Sequence, residues 1–376
     1  MISVLFLIPT LDRGGAENVL VNLVNNMDQS KFHITVQTLF DKDSQKDCLR
    51  EGIEYKSFLY KQFHGNSRLQ ARIPAKLLYR MIVGKRYDIV VSYLEGPTAH
   101  ILSGCPYEDS KKVAWFHSAL DSDRRLSAGF TSKQAAVDAY LRYDQIVYVA
   151  ETVRDKIDEL AGTPLSKSCV LYNTLNVDDI REKALEECLE PVFDTNSFNI
   201  VSVGKLSPVK GYDRLARVHR KLREEGYPCH VYILGEGEER KALEAYLTEQ
   251  KLTDSFSLLG FRENPYCCFS KADLFVCSSR REGFSTAATE ALILGIPVCT
   301  TEVSGMREML GDSEFGLITK NSEEALYQGI KLLLDEPALL MHYREKAKER
   351  GEHFDTQNTV KAVEEMLAGL QNDTER

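Results

Sequence analysis

Short apolar runs recur along the chain with longer mixed segments between them. From residue 1 to about 178 the runs are Val4 to Ile8, Ile34 to Phe40, Ile89 to Ser92, Val113 to Phe116, Ile146 to Val149 and Val170 to Tyr172. Each has the length of a strand buried on both faces, and each intervening segment can hold a crossover helix, so the pattern predicts βα units on a parallel sheet. The charged stretch 179–196 has little periodicity and is expected to be a linker. The alternation restarts at Phe198 to Val203 and continues through Val231 to Leu234, Phe256 to Leu259, Leu274 to Cys277 and Val298 to Thr300. After about residue 322 the period becomes helical over Glu323 to Leu334, Pro337 to Arg350 and Thr356 to Leu370. The expected fold class is α/β: two doubly wound, Rossmann-like domains over 1–178 and 197–350, with ligand in the cleft between them.

Composition narrows this picture. With 376 residues the chain exceeds what one core holds, and 43% hydrophobic with 27% charged residues is the balance of a folded globular protein. A net charge of −9 argues against a nucleic-acid partner. The opening Met1 to Pro9 has no basic leader and no small-residue cleavage site, so it reads as a strand rather than a signal peptide, and no apolar run reaches bilayer length. Nine cysteines without a Cys-x2-Cys pair fit reduced thiols in a cytosolic enzyme. The sequon Asn372-Asp373-Thr374 is then a solvated tail.

The chemistry concentrates between Arg281 and Leu292. The run Leu274 to Cys277 predicts a strand and the small residues Ser285 to Leu294 a helix stopped by Gly295 and Pro297, so Glu282 and Glu290 bracket a strand-to-helix turn. Eight helical residues rise about 12 Å, which sets the two acids at different depths. Between them Gly283, Phe284, Ser285 and Thr286 present main-chain N–H groups at a helix start, a seat for an anion. A ligand with hydroxyls, then an anion, then hydroxyls matches: the transferred sugar on Glu282, a diphosphate on the helix N-terminus, the ribose on Glu290. The alternative is two surface acids near a helix start.

This stretch resembles the Glu-x7-Glu motif of retaining glycosyltransferases of the GT-B fold, in particular family 4, and the resemblance extends through Gly14-Gly15-Ala16-Glu17, the segment Gly204 to Gly211, Gly235-Glu236-Gly237 and Gly260-Phe261. It implies that Gly14 and Gly15 lie near the donor diphosphate, and that Lys205 and Lys210 hold the diphosphate and stabilise it as it leaves. It implies further that His117 meets the hydroxyls of the transferred sugar and that Phe261 or Arg262 meets the donor base. A last helix, 351–376, packs back on the first domain in such enzymes. The sequence departs from the family where Lys205 replaces the usual Arg, and where Ser285 and Thr286 stand in place of Gly and an aliphatic residue.

The expected function is transfer of a hexose, with retention, from a UDP-sugar to a hydroxyl acceptor on a lipid-linked or polysaccharide glycan. Its rivals are a nucleotide-sugar epimerase of the same fold and a non-catalytic glycan- or lipid-binding module. No metal or other cofactor is expected, since the lysines and the helix N-terminus supply positive charge; Asp121-Ser122-Asp123 is read as a polar loop rather than a metal motif. Residues 61–86 hold seven cations and no acid. Arg68, Arg72, Lys76 and Arg80 recur every four residues beside Leu69, Ile73, Leu77 and Met81, a helical face suited to anionic lipid unless its apolar stripe packs on the sheet or Pro74 interrupts it. The expected location is cytoplasmic, peripheral at the inner face of the cell membrane.

Overall fold

The computed structural model describes residues 1–41, 45–59, 70–165, 167–187, 193–194 and 196–372. The chain forms two compact units, Met1–Leu175 with Thr356–Arg376, and Asn176–Asp355.

The first unit is built on a seven-stranded sheet in the order β3-β2-β1-β4-β5-β6-β7. Its strands are β1 (Ile2–Ile8), β2 (Phe32–Phe40), β3 (Glu54–Leu59), β4 (Ile89–Ser92), β5 (Lys111–Phe116), β6 (Gln145–Tyr148) and β7 (Ser168–Val170). Every pair is parallel; β1 sits between β2 and β4, with Val4 opposite both Ile34 and Ile89. Val4 to Ile8 and Ile89 to Val91 are fully buried because helices cover both faces, which is why these strands read as continuous apolar runs. The chain reverses direction across the sheet between β1 and β4, so the connections after those strands run to opposite faces and leave a crevice at their carboxyl ends. The helix Thr356–Asn372 belongs to this unit: Glu364 accepts from the Asp28 amide at 2.6 Å and Gln371 donates to the Asp88 carbonyl at 3.1 Å.

The second unit repeats the plan with β8 (Phe198–Val203), β9 (Cys229–Leu234), β10 (Phe256–Gly260), β11 (Leu274–Cys277), β12 (Val298–Thr301) and β13 (Leu317–Thr319), all parallel, in the order β10-β9-β8-β11-β12-β13. Its switch point lies between β8 and β11, where Phe275 pairs with Val201. Gly204, Gly235 and Gly260 end the adjacent strands β8, β9 and β10. Gly235 has φ 148°, and a Cβ on it would stand 2.0 Å from the Gly204 carbonyl oxygen, while its N–H donates to Gly260 at 2.8 Å.

Three expectations change. The stretch 179–196 is not wholly linker, because Val177–Ala184 is a helix: Asn176 caps it by accepting from the Asp179 amide, Asp178 and Asp179 suit its first turn, and Val177 and Ile180 are buried. The apolar-run reading omits β3 and β13, edge strands that are short or polar on one face. The four-residue basic stripe does not lie on one helix. The helix there runs only Ala75–Ile82 with Pro74 at its start, since a proline ring blocks continuation toward residue 70 and pushes Ile73 out of the helical region. Arg72 therefore precedes the helix that carries Lys76 and Arg80, while Arg68 lies outside the described residues.

Candidate active site

β11 delivers a buried pair, Ser278 and Ser279, and then a turn to the helix Thr286–Ile293. That helix forms where small residues, three of them alanines, dominate, so Ala288, Ala291 and Leu292 pack with no exposure, and it ends at Gly295, which takes φ 69°. Ser285 is its N-cap, accepting from the Ala288 amide at 3.3 Å. Among the described residues the main-chain N–H groups of Ser285 and Thr286 have no acceptor, so they remain at the positive end of the helix dipole.

Glu282 and Lys210 meet in front of this helix start. Lys210 ends a short turn, Pro208–Lys210, closed by Gly211 at φ 67°, and its Nζ donates to Glu282 Oε1 at 2.7 Å. Burial is the largest single effect and pulls the Lys210 ammonium down, but the charge and hydrogen bond of Glu282, with Tyr212 and Cys277 beside it, together outweigh burial, and the net effect holds Lys210 protonated. Ser279 Oγ donates to the same Oε1 at 2.5 Å. Lys210, Tyr212, Cys277, Ser279, Glu282 and Ser285 line a common small pocket. The two turns are tied through the main chain: the Arg280 amide donates to Val209 at 2.7 Å and Ser278 Oγ to the Lys210 carbonyl at 2.9 Å.

Glu290 lies farther along the same helix. Burial pushes its carboxyl up to about 7, against the opposing pull of the Tyr266 hydroxyl and the Lys210 charge. Tyr266 Oη stands 3.3 Å from Glu290 Oε1. Tyr266 is placed by Asn264, whose Oδ1 accepts from its amide at 3.0 Å.

The remaining sequence candidates are placed as follows. Gly283 and Phe284 are buried within the turn. Lys205 points outward, its side chain 70% exposed and 3.7 Å from Glu238, so Lys205 and Lys210 do not converge in this structure. Phe261 is 44% exposed after Gly260, and Arg262 has a buried Nε without an acceptor. In the first unit, Gly14 caps the helix Gly15–Asn26, and a Cβ on it would stand 2.2 Å from the Glu17 carboxylate, which folds over this helix start. His117 follows β5; its amide donates to Glu95 at 3.0 Å and its ring packs on Tyr93 at 4.6 Å between centroids. Burial pulls its imidazole down to about 3, so it is neutral at physiological pH, with Nε2 buried and unpartnered. Asp121 pairs with Arg125 and Asp123 with Lys133, so both acids already have cations. Among the described residues no three His, Cys, Asp or Glu side chains gather as metal ligands would.

Sequence reasoning missed Ser279, Tyr266 and Arg214. Serine and tyrosine carry no spacing signal. Arg214 does: with Val218 and Leu222 it forms one buried stripe of the helix Tyr212–Glu224, so it is a charge at a core position of an otherwise regular pattern.

The family model described as Glycosyl transferases group 1 matches residues 190–350, and the one described as Glycosyltransferase Family 4 matches residues 13–179. The N-acetylgalactosamine-N,N'-diacetylbacillosaminyl-diphospho-undecaprenol 4-alpha-N-acetylgalactosaminyltransferase of Campylobacter jejuni is 36% identical over 221 residues, 58% of this chain and 58% of that protein. An uncharacterized glycosyltransferase of Methanocaldococcus jannaschii is 22% identical over 366 residues, 95% of each chain. The chain spans 58% and 65% of the lengths of the first two curated relatives it matches. Among solved structures, Anabaena HepE in complex with UDP and glucose has a TM-score of 0.77 at 19% identity over 98% of this chain and 100% of that one. Sucrose-phosphate synthase from Thermosynechococcus elongatus has a TM-score of 0.77 at 15% identity over 98% and 99%. At these identities the likeness is one of fold, and that fold is GT-B. With one family model on most of the first unit and the other on most of the second, the chain belongs to the group 1, family 4 glycosyltransferases.

Proposed function

We propose that this chain transfers a hexose from a UDP-sugar to a hydroxyl acceptor on a glycan, with retention of the α configuration. The observation that carries the reading is the Lys210–Glu282 pair, 2.7 Å apart, beside a helix N-terminus with unfilled N–H groups. When the bond between the sugar and the nucleoside diphosphate breaks, negative charge grows on the diphosphate; an ammonium and helix amides aimed there lower the barrier more than they stabilise the ground state. An ammonium has three donors, so Lys210 can bind Glu282 and still reach phosphate oxygen. Glu282, fixed by Lys210 and Ser279, would orient the sugar, and Glu290 would accept from the ribose. Reaction on one face of the sugar, with the leaving diphosphate taking the acceptor proton, needs no covalent nucleophile and leaves Glu282, already engaged by Lys210 and Ser279, to orient the sugar. Lys210 and the amides supply positive charge without a metal, and the neutral His117 is suited to hydrogen-bonding sugar hydroxyls. The Anabaena relative's complex with UDP supports the donor class, and the Campylobacter relative, named for an alpha linkage on a diphospho-undecaprenol, supports a lipid-linked acceptor. The test is UDP release from a panel of UDP-sugars with and without a lipid-linked glycan. Acceptor-dependent release with an α-linked product is expected; interconversion of UDP-sugars without acceptor would instead establish an epimerase, and UDP binding without turnover a binding module.

The same reading sets the enzyme at the cytoplasmic face of an anionic membrane. No helix among the described residues is long and apolar enough to cross a membrane. Ala75–Ile82 turns Leu78, Tyr79 and Ile82 inward, but Leu77 is 49% and Met81 55% exposed beside exposed Lys76 and Arg80. Arg72, Lys76 and Arg80 have no acidic partner among the described residues. Apolar side chains one turn apart flanked by unpaired cations suit a lipid surface. Co-sedimentation with anionic vesicles is expected to fall with salt and with Glu at positions 72, 76 and 80; wild-type protein left in the supernatant at low salt would remove this part of the reading.

A further inference from the structure

A buried arginine joins the turn of Glu282 to the turn of Lys210. Arg214 is 5% exposed. Its Nε donates to the Ser278 carbonyl at 2.7 Å, and its Nη2 donates to the Ser279 carbonyl at 2.6 Å and to Thr301 Oγ1 at 3.3 Å. Nη1 donates to Asn321 Oδ1 at 2.9 Å. All these acceptors are neutral. Among the described residues no carboxylate lies at ion-pair distance from Arg214; its neighbour Asp213 is taken by Arg217 and Arg280. A buried cation without a counter-ion is unfavourable for folding, and an aliphatic side chain would fill this place at less cost. What the guanidinium adds is geometry, because its planar fork fixes several acceptors at once.

Those acceptors lead to the site. The Ser279 carbonyl is held by Arg214 and by Thr301 Oγ1 at 2.6 Å, and the Ser279 hydroxyl grips Glu282. The Ser278 carbonyl is held by Arg214 Nε, and the Ser278 hydroxyl grips the Lys210 carbonyl. The helix bearing Arg214 starts against this strand end: a Cβ on Gly211 would stand 2.2 Å from the Ser278 carbonyl oxygen. We infer that Arg214 is a positioning residue, its fork setting Ser278 and Ser279 so that Glu282 and Lys210 meet at one fixed spacing. The inference rests on the proposed role of that pair in glycosyl transfer.

Arg214→Lys keeps the charge and loses the fork. With whichever of UDP-glucose, UDP-N-acetylglucosamine, UDP-galactose and UDP-N-acetylgalactosamine the wild type turns over best, kcat is expected to fall roughly tenfold to a hundredfold, with the donor KM changed by less than about threefold. In a Glu282→Gln background the same substitution should cost less than about threefold, because the group it positions is already gone. Wild-type kcat, a change confined to KM, or an equal loss in both backgrounds overturns the inference. A second arm needs no donor. The coupling between Lys210→Met and Glu282→Gln in urea unfolding, expected at about tenfold in the folding constant, should drop below about twofold when Arg214 is Lys. If the wild type turns over no UDP-sugar, the functional reading fails while this arm still decides the role of Arg214, and unchanged coupling overturns it. Should Arg214→Lys not fold, Ser279→Ala removes one hydroxyl from the same chain of contacts and must give the same loss of coupling; normal coupling in that variant overturns the inference.

Discussion

Glu290→Gln should make the protein more stable while weakening its grip on donor. Burial raises the Glu290 carboxyl from an ordinary 4.5 to about 7, so the native state binds the proton more tightly than the unfolded chain does. The contribution of that proton is fully present below about pH 4.5 and is lost as pH rises through about 7. Each tenfold change in proton affinity is worth about 1.4 kcal/mol, so above pH 8 the ionised carboxylate costs the fold at most about 3.5 kcal/mol, and less to the extent that solvent reaches it. Glutamine has the shape of the protonated acid and never titrates. The stability gain of Glu290→Gln should therefore be small near pH 4.5 and grow to about 2 to 3 kcal/mol at pH 8, which for a unit of this size raises the melting temperature by roughly 4–10 °C. Thermal and urea unfolding of both proteins from pH 5 to 9 measure this directly. UDP titration supplies the functional side: wild-type affinity should rise with pH through about 7 and level off above about 8 as the carboxylate ionises, whereas the variant should bind more weakly with a flat profile. A stability difference independent of pH, or a variant less stable than wild type at pH 8, would refute the reasoning.

The other predictions follow from the same geometry. Lys210→Ala and Glu282→Ala should each reduce turnover roughly a hundredfold or more with the fold intact by circular dichroism, because each removes a group aimed at the reacting centre. Lys205→Ala should cost no more than about tenfold in kcat, since its ammonium is exposed and paired with Glu238 rather than gathered with Lys210. Gly235→Ala should destabilise the second unit by about 3 kcal/mol in urea unfolding, because a Cβ there would stand 2.0 Å from the Gly204 carbonyl at a φ of 148°. Turnover should survive excess EDTA; loss restored by a divalent cation would show that Lys210 and the helix amides are not sufficient.

Much of this protein follows from local pattern. Parallel strands buried on both faces must be apolar throughout, so nearly every strand of the two sheets is visible as a short run, and the alternation of those runs with helical segments already implies two doubly wound units. The turn from β11 into the helix Thr286–Ile293 is equally local, set by small residues, a serine cap and a glycine stop. Edge strands such as β3 escape the same reading because one face needs no apolar cover, and the helix Val177–Ala184 escapes it because only Val177 and Ile180 of its residues are buried. What depended on tertiary structure is which charges meet. Lys205 and Lys210 look equivalent along the chain, yet the turn at Gly211 brings only Lys210 to Glu282 and leaves Lys205 facing Glu238. Glu282 and Glu290 likewise form a matched pair in sequence, but one is held by an ammonium and a hydroxyl while the other is raised to about 7 by burial. Hydrophobic periodicity is a property of neighbours in the chain, whereas proton affinity and ion pairing depend on groups that only packing brings together, and for Arg214 those groups are 64 and 107 residues away.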